Sequence, residues 1–339
     1  MRAAIVLVAF GALAHAQARP AGTIVASNMN DNTATVLDAA TGRVLATLPT
    51  GEGPHEVAIS RDGRWAAVSN YGVRGKPGSS ITVIDVARHA VDRTIDLHEY
   101  QRPHGMAFLP GDSLLAVTSE ASKAVLLVDF RSGRVTRTLP TNARASHMVA
   151  MSANGERLAT ANIADGTIAL IETAAPERAA LVRVAAQPEG IAITPSGSTV
   201  WVGSNRDSVV LVVDVQRAAV VDTLRGFGLP YRRAISPDER LAVITDPAKA
   251  QVRVFDVASR RERFTLSIAR DSLVPTAEIP GSPSPEGVTI SRDSRWAFVT
   301  LQGRNRVATI DLERGTIVAL APTGVWSDGV GYSPVVAKP

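Results

Sequence analysis

The chain has no cysteine in its 339 residues. Disulfides, thiolate chemistry and a lipoprotein anchor are therefore excluded, and stability has to come from burial. Lysine is nearly absent as well, confined to Lys76, Lys123, Lys249 and Lys338, so the formal charge of +4 is carried by scattered arginines. Aromatic residues make up 4% and do not interleave with the basic ones, which argues against a nucleic-acid surface. No run approaches the roughly 20 apolar residues of a membrane span. Beyond the first residues, no window sustains a capped 3.6-residue apolar period, so helices are not expected.

The one notable apolar run, Ala3 to Leu13, follows Arg2 and precedes Ala14-His15-Ala16 or Ala16-Gln17-Ala18. A short apolar core between a positive start and a small-x-small site reads as a signal peptide. Residues 1–18 are expected to be removed, leaving 19–339 as a single domain, periplasmic or secreted and beginning at Gln17 or Arg19.

What is present is a repeat. A polar or ionisable residue stands ahead of a short apolar run at His55, His104, His147, Glu189, Tyr231, Glu286 and Asp328, with spacings of 49, 43, 42, 42, 55 and 42 residues. After each run comes a turn such as Arg61-Asp62-Gly63 or Pro195-Ser196-Gly197, then a second strand, then a β-branched run closing on an acidic residue. The closing residues are Asp38, Asp85, Asp129, Glu172, Asp214, Asp256 and Asp311. Asp there is expected to accept backbone N–H bonds as a turn cap, and Trp65 and Trp296 in second strands to pack between sheets. A fourth strand, such as Arg134 to Leu139, completes the unit. Small residues recur within the first strand (Ala58, Ala107, Ala150, Ala192, Ala234, Thr289, Gly331), as crowding around a central axis requires.

A period near 42 with short strands and turn residues predicts an all-β, seven-bladed β-propeller with four-stranded blades. The chain begins with a second-type strand, Thr23 to Asn28, and ends with an unpaired first-type strand, Trp326 to Ser333. Pairing these two closes the ring and removes its exposed edges.

The motifs Pro188-Glu189-Gly190-Ile191-Ala192-Ile193-Thr194, Ser60-Arg61-Asp62-Gly63-Arg64, Ala67-Val68-Ser69-Asn70 and Val83-Ile84-Asp85-Val86 resemble the YVTN-type β-propeller repeat. The resemblance spans nearly all of Gly22 to Pro334. It implies kinship with exported bacterial propellers, surface-layer proteins and lactonase-like propellers, many of them without assigned chemistry. Two places depart from the repeat: a lengthened loop from Tyr71 to Ser80, and a long proline-rich segment from Ala269 to Pro285, expected to be a loop over the channel mouth.

In a propeller the segments leading into the innermost strands ring the mouth of the channel. The candidate ligand-binding residues are therefore His55, His104, His147, Glu189, Tyr231, Arg232, Glu286 and Asp328. Around them stand Asn28, Asn30, Asn70, Glu120, Asn162, Asn205, Asp207, Asp246 and Gln302 from the second-to-third-strand loops. Three imidazoles from adjacent blades, His55, His104 and His147, suit a divalent metal such as Zn²⁺ or Cu²⁺, or else hydrogen bonds between blades. Arg232 and Arg233 suit an anionic group held bidentately, or pairing with Asp246 or Glu286. Gly-x-Ser-x-Gly, His-Glu-x-x-His, glycine-rich phosphate loops and EF-hand loops are all missing.

Two functions are expected. One is an exported, monomeric scaffold that binds a partner protein or a small ligand, anionic ones included, at the mouth. The alternative is a lactonase-like hydrolase in which a metal held by the histidines or Glu286 activates water. A metal-carrying redox accessory with His ligands and no haem is a third reading, since Cys-x-x-Cys-His does not occur.

Overall fold

The computed structural model describes residues 19–274 and 281–336; the expected leader, and Pro275 and Pro280 of the long segment, lie outside them. Those residues form seven antiparallel four-stranded sheets. Blade one joins Thr23–Asn28, Thr33–Asp38 and Val44–Pro49 to Ser327–Ser333 from the far end of the chain. The other six blades are consecutive in sequence and begin at Pro54, Pro103, Ser146, Pro188, Arg233 and Pro285. Each blade's first strand packs against the first strands on either side, and that chain of contacts runs all the way round. The ring is closed.

Closure follows the expected register. Thr23 pairs with Ser333, Val25 with Gly331 and Asn28 with Ser327. The C-terminal strand starts one residue later than the sequence suggested, because Trp326 adopts a left-handed backbone (φ 65°) and ends the preceding loop.

The blades stack because their middle strands are apolar on both faces, which lets sheets bury both sides. Thr23–Asn28 and Leu241–Asp246 are buried throughout, whereas the outer strand Val44–Pro49 is largely open to solvent. Trp65 packs near Phe130 of the next blade, with ring centroids 6.1 Å apart, and Trp296 sits in the core shared with Ile24 and Leu37. The acidic closers cap turns as expected: Asp38, Asp129 and Asp256 each accept the amide of the residue three positions on.

Helix is limited to three 3-10 turns among the described residues, and none of their helices is long and apolar enough to cross a membrane. The segment Tyr71 to Ser80 is not a loop. It extends the second and third strands of blade two into a longer hairpin, Trp65–Val73 and Lys76–Asp85, with Gly72 facing Pro77 and Val73 facing Lys76. The other long segment opens with a 3-10 turn, Ile268–Arg270, and its described residues hold no strand before Pro285. Ile268 and Val274 anchor it in the core of blades six and seven, and Ser282 Oγ donates to the Pro247 carbonyl at 2.9 Å.

Deleting the chain from Gly324 onward removes the inner strand of blade one and opens the ring on both sides. The expected cost exceeds about 5 kcal/mol, seen as aggregation or loss of a cooperative melt by circular dichroism. A truncated protein melting within a few degrees of the intact one would contradict closure as the source of stability.

Candidate functional site

The seven lead-in residues occupy one level of the ring because the backbone places them irregularly on purpose. In six blades the ladder between first and second strands slips there: after Pro54, Pro103, Ser146, Pro188, Pro285 and at Ser327. A β-bulge leaves its residue unpaired and re-aims the side chain, here toward the axis. The neighbouring blade then pins the backbone. Thr118 Oγ1 donates to the His147 carbonyl at 2.6 Å, Thr245 Oγ1 to that of Glu286 at 2.7 Å, and Thr300 Oγ1 to that of Asp328 at 2.6 Å. Ser27 does the same for His55.

Glycine follows the lead-in residue in four blades, at Gly105, Gly190, Gly287 and Gly329. A Cβ at Gly105 would lie 2.5 Å from the Val149 nitrogen, and those at Gly287 and Gly329 would run into the Asp328 and His55 carbonyls. These glycines let inner strands abut. Three blades break the rule, blade two with Glu56, blade four with Met148 and blade six with Arg232; of these, Glu56 and Arg232 meet inside the ring. Arg232 Nε donates to Glu56 Oε1 at 2.9 Å, with Nη2 2.8 Å from the same oxygen, while Nη1 donates to Glu189 Oε1 at 3.0 Å.

From Glu189 the network continues around the ring. His147 Nε2 lies 2.8 Å from Glu189 Oε1, and its Nδ1 is hydrogen-bonded to Glu120. Glu120 accepts from the Tyr71 hydroxyl at 2.5 Å, and Asn205 Nδ2 donates to Glu189 at 3.3 Å. The three expected histidines do converge, but by ring packing: His104 lies 3.6 Å from His147 and 5.1 Å from His55 between centroids. Tyr71 covers His55 and His104 at 4.7 and 5.2 Å. His55 binds the Gly53 carbonyl through Nδ1 at 2.9 Å, and buried His104 Nδ1 has no hydrogen-bond partner. Among the described residues no group of three or more His, Asp or Glu is placed to hold a metal ion.

The arginines behave differently from either sequence expectation. Arg232 pairs with Glu56 and Glu189, not with Asp246 or Glu286, and stacks over the Tyr231 ring at 4.2 Å. Arg233 is buried and donates to the carbonyls of Gly190, Pro230 and Tyr231, filling the space left by Gly203. Asp246 instead caps the Gly228 and Leu229 amides, and Glu286 accepts from the Ser284 hydroxyl at 2.6 Å. Of the surrounding polar residues only Glu120 and Asn205 join the network; Asn28, Asn70 and Asn162 are buried in bonds to hydroxyls of their own blades. Asp328 is 1% exposed, and neither carboxylate oxygen has a partner.

Sequence reasoning passed over Glu56 and Tyr71. Glu56 was detectable as the residue replacing glycine after a lead-in position. Tyr71 lay in the lengthened hairpin, whose purpose at the site no local pattern reveals.

Burial decides the electrostatics. It pulls the His104 imidazole well below its usual value, helped by the charge on His147, so His104 is neutral. Burial also acts against His147, but the carboxylates of Glu189 and Glu120 outweigh it and hold the imidazolium up at about 9. For Glu189, burial is outweighed by His147 and Arg232, and the carboxyl stays well below its usual range. Glu286 has no such partner: burial, joined by Asp328 and opposed by Ser284, pushes it up to about 8. Asp328 is raised by burial too, against the pull of His55 and Arg232.

The fold and site define a seven-bladed propeller with a buried polar network across one end of its channel. The chain belongs to the cytochrome D1 heme domain family, whose model matches residues 110–331. Among solved structures it is similar to a Kuenenia stuttgartiensis hydrazine synthase (18% identity, TM-score 0.65, covering 81% of this chain and 88% of that one). A functionally unknown protein from Desulfotomaculum acetoxidans DSM 771 superimposes with a TM-score of 0.71 at 12% identity, covering 92% of this chain and 99% of that one. At these identities the likeness is one of fold. No protein of curated function matches.

The haem in the family's name can be tested against these residues; the missing Cys-x-x-Cys-His bears only on covalent attachment. At the level of the lead-in residues a flat macrocycle does not fit. The Glu56–Arg232 pair bridges the ring there, three imidazoles and Tyr71 pack against one another, and both arginines are spent on internal partners.

Two outcomes check this account. Arg232→Met leaves Glu56 and Glu189 buried without their shared cation and should cost about 3–5 kcal/mol in urea unfolding. Adding Glu56→Gln should recover part of that loss; strictly additive effects would mean that the pair is not coupled. The second outcome concerns pH. His147, raised from 6.5 to about 9, contributes stability that is complete below its unfolded value and is lost as pH rises through 9. Glu286, raised from 4.5 to about 8, likewise favours the protonated fold, so stability falls between those values. His104, held neutral in the fold, acts the other way below 6.5, so unfolding free energy should decline from about pH 6.5 to pH 9. Glu286→Gln should flatten the part below pH 8, and an unchanged slope would contradict the protonated state of Glu286.

Proposed function

We propose that this protein is an exported binding propeller that takes a small polar ligand into the mouth of its central channel. One observation carries the reading: bulged lead-in positions deliver ionisable side chains to a single buried level, yet Asp328 is left there with no protein partner. Nearly all buried polar groups are satisfied in native proteins, and an orphan calls for a guest. The unpartnered atoms lie inside the ring, within reach of a small molecule rather than a broad protein surface. The leader-like sequence and the YVTN-type motifs support an exported scaffold. A metal-assisted, lactonase-like reaction draws no support from the geometry, because His147 has both ring nitrogens engaged by carboxylates.

A thermal-shift panel of small anions, cations, neutral polyols, lactones and haem tests this. At least one compound should raise the melting temperature saturably, as binding to the native state demands, and Asp328→Asn should abolish that shift. A panel with no saturable shift, or one whose shifts persist in Asp328→Asn, overturns the reading.

A further inference from the structure

The charges at the channel mouth do not balance. Glu56, Glu120, Glu189, Glu286 and Asp328 converge on one level, whereas the buried cations there are Arg232, Arg233 and His147, with half-buried His55 also acting on Asp328. Arg233 spends its guanidinium on backbone carbonyls. Arg232 and His147 are claimed by Glu56, Glu120 and Glu189. Glu286 and Asp328 are left over, on adjacent blades seven and one.

Their surroundings show which guest they suit. Both Asp328 oxygens and the neighbouring Ser327 hydroxyl are buried and unpartnered, and Glu286 keeps one oxygen beyond its bond from Ser284. The groups that act on Asp328, namely His55, Arg232, Glu56 and Glu189, belong to three other blades, so its carboxylate faces the axis. Tyr231, Arg232, Glu189 and Asp328 likewise surround Glu286. The carboxylate oxygens accept when ionised, and the Ser327 hydroxyl can accept as well as donate, so the partner that suits this pair is a donor with positive charge. A metal ion needs three or more ligands converging at about 2.0–2.6 Å, and no such group exists among the described residues. An ammonium needs only acceptors at hydrogen-bond distance, about 2.7–2.9 Å, and it carries three donors and no acceptor.

We propose that Asp328 and Glu286 form a binding site for a primary organic ammonium group, which enters the channel and displaces the one proton that the pair holds when the site is empty. This rests on the small-ligand reading above and names its ligand class. The exchange balances: one R–NH3⁺ enters, one carboxyl proton leaves to solvent, and no covalent bond to carbon forms or breaks. Asp328 supplies the charge. Glu286 supplies the second acceptor and the titrating proton.

Calorimetric titration of ethylammonium chloride at pH 7, in two buffers of different ionisation enthalpy, tests the assignment. Wild-type protein should bind saturably and release close to one proton per ligand. Asp328→Asn should weaken binding at least tenfold while melting no lower than wild type, since it replaces a buried carboxyl that has no protein partner. Glu286→Gln should still bind, more weakly, without proton release. Equal heats from potassium chloride at the same ionic strength, no saturable heat, or wild-type affinity in Asp328→Asn would each overturn the proposal. If ethylammonium fails while another compound gives an Asp328-dependent thermal shift, the ammonium assignment falls and the small-ligand reading stands. If no compound does so, both fall.

Discussion

Crowding at the ring axis is the constraint on which everything else in this molecule depends. Seven inner strands converge on one line, close enough that glycine is needed after the lead-in residue in four blades. That proximity closes the ring and expels water from its upper end. Any ionisable side chain delivered there loses its hydration and must find a partner within the protein or give up its charge. The network from Tyr71 through Glu120, His147 and Glu189 to Arg232 and Glu56 is the result. His147 and Glu189 are side chains that the repeat forced inward, and their neighbours then satisfied them.

The network cannot be understood as a source of stability alone. Buried ion pairs commonly return little more than their desolvation cost, and apolar replacements of similar volume are often as stable. A propeller seeking only stability would fill these positions with apolar residues, as it does two positions further along at Val57, Val149, Ile191, Val288 and Val330. Here the positions are polar in all seven blades, and one carboxylate is left unmatched. Unmatched buried charge is retained against its own energetic penalty where a bound state repays it.

The architecture was legible in the sequence because it is written seven times. Period, turn residues, acidic closers and small axial residues all repeat, so an error in one blade is corrected by the others. The strand at each end of the chain was equally plain, since each lacked a partner that the other supplied. The level of the site was legible for the same reason, and all eight candidate residues lie at one end of the channel. What the repeat could not convey was pairing. Arg232 reaches Glu56, which is 176 residues away and several blades distant around the ring, and only the radius of the closed ring decides that encounter. Tyr71 was hidden because it sits in an extended hairpin unique to blade two. Its role at the site arises from tertiary contact with Glu120.

Glu56 and Arg232, two of the three residues that stand in place of glycine after a lead-in position, also set the width of the channel mouth. A Cβ at either position is tolerated only because the side chain has somewhere to go, and the open axis is that place. Once there, the pair spans the channel at the height where a larger planar guest would have to lie. Glycine at both positions would widen the mouth; the pair confines the usable space to the side of Glu286 and Asp328. The same two side chains thus narrow the channel and leave the remaining carboxylates without an internal cation. Narrowing selects for a small ligand, and the charge imbalance selects for a positive one.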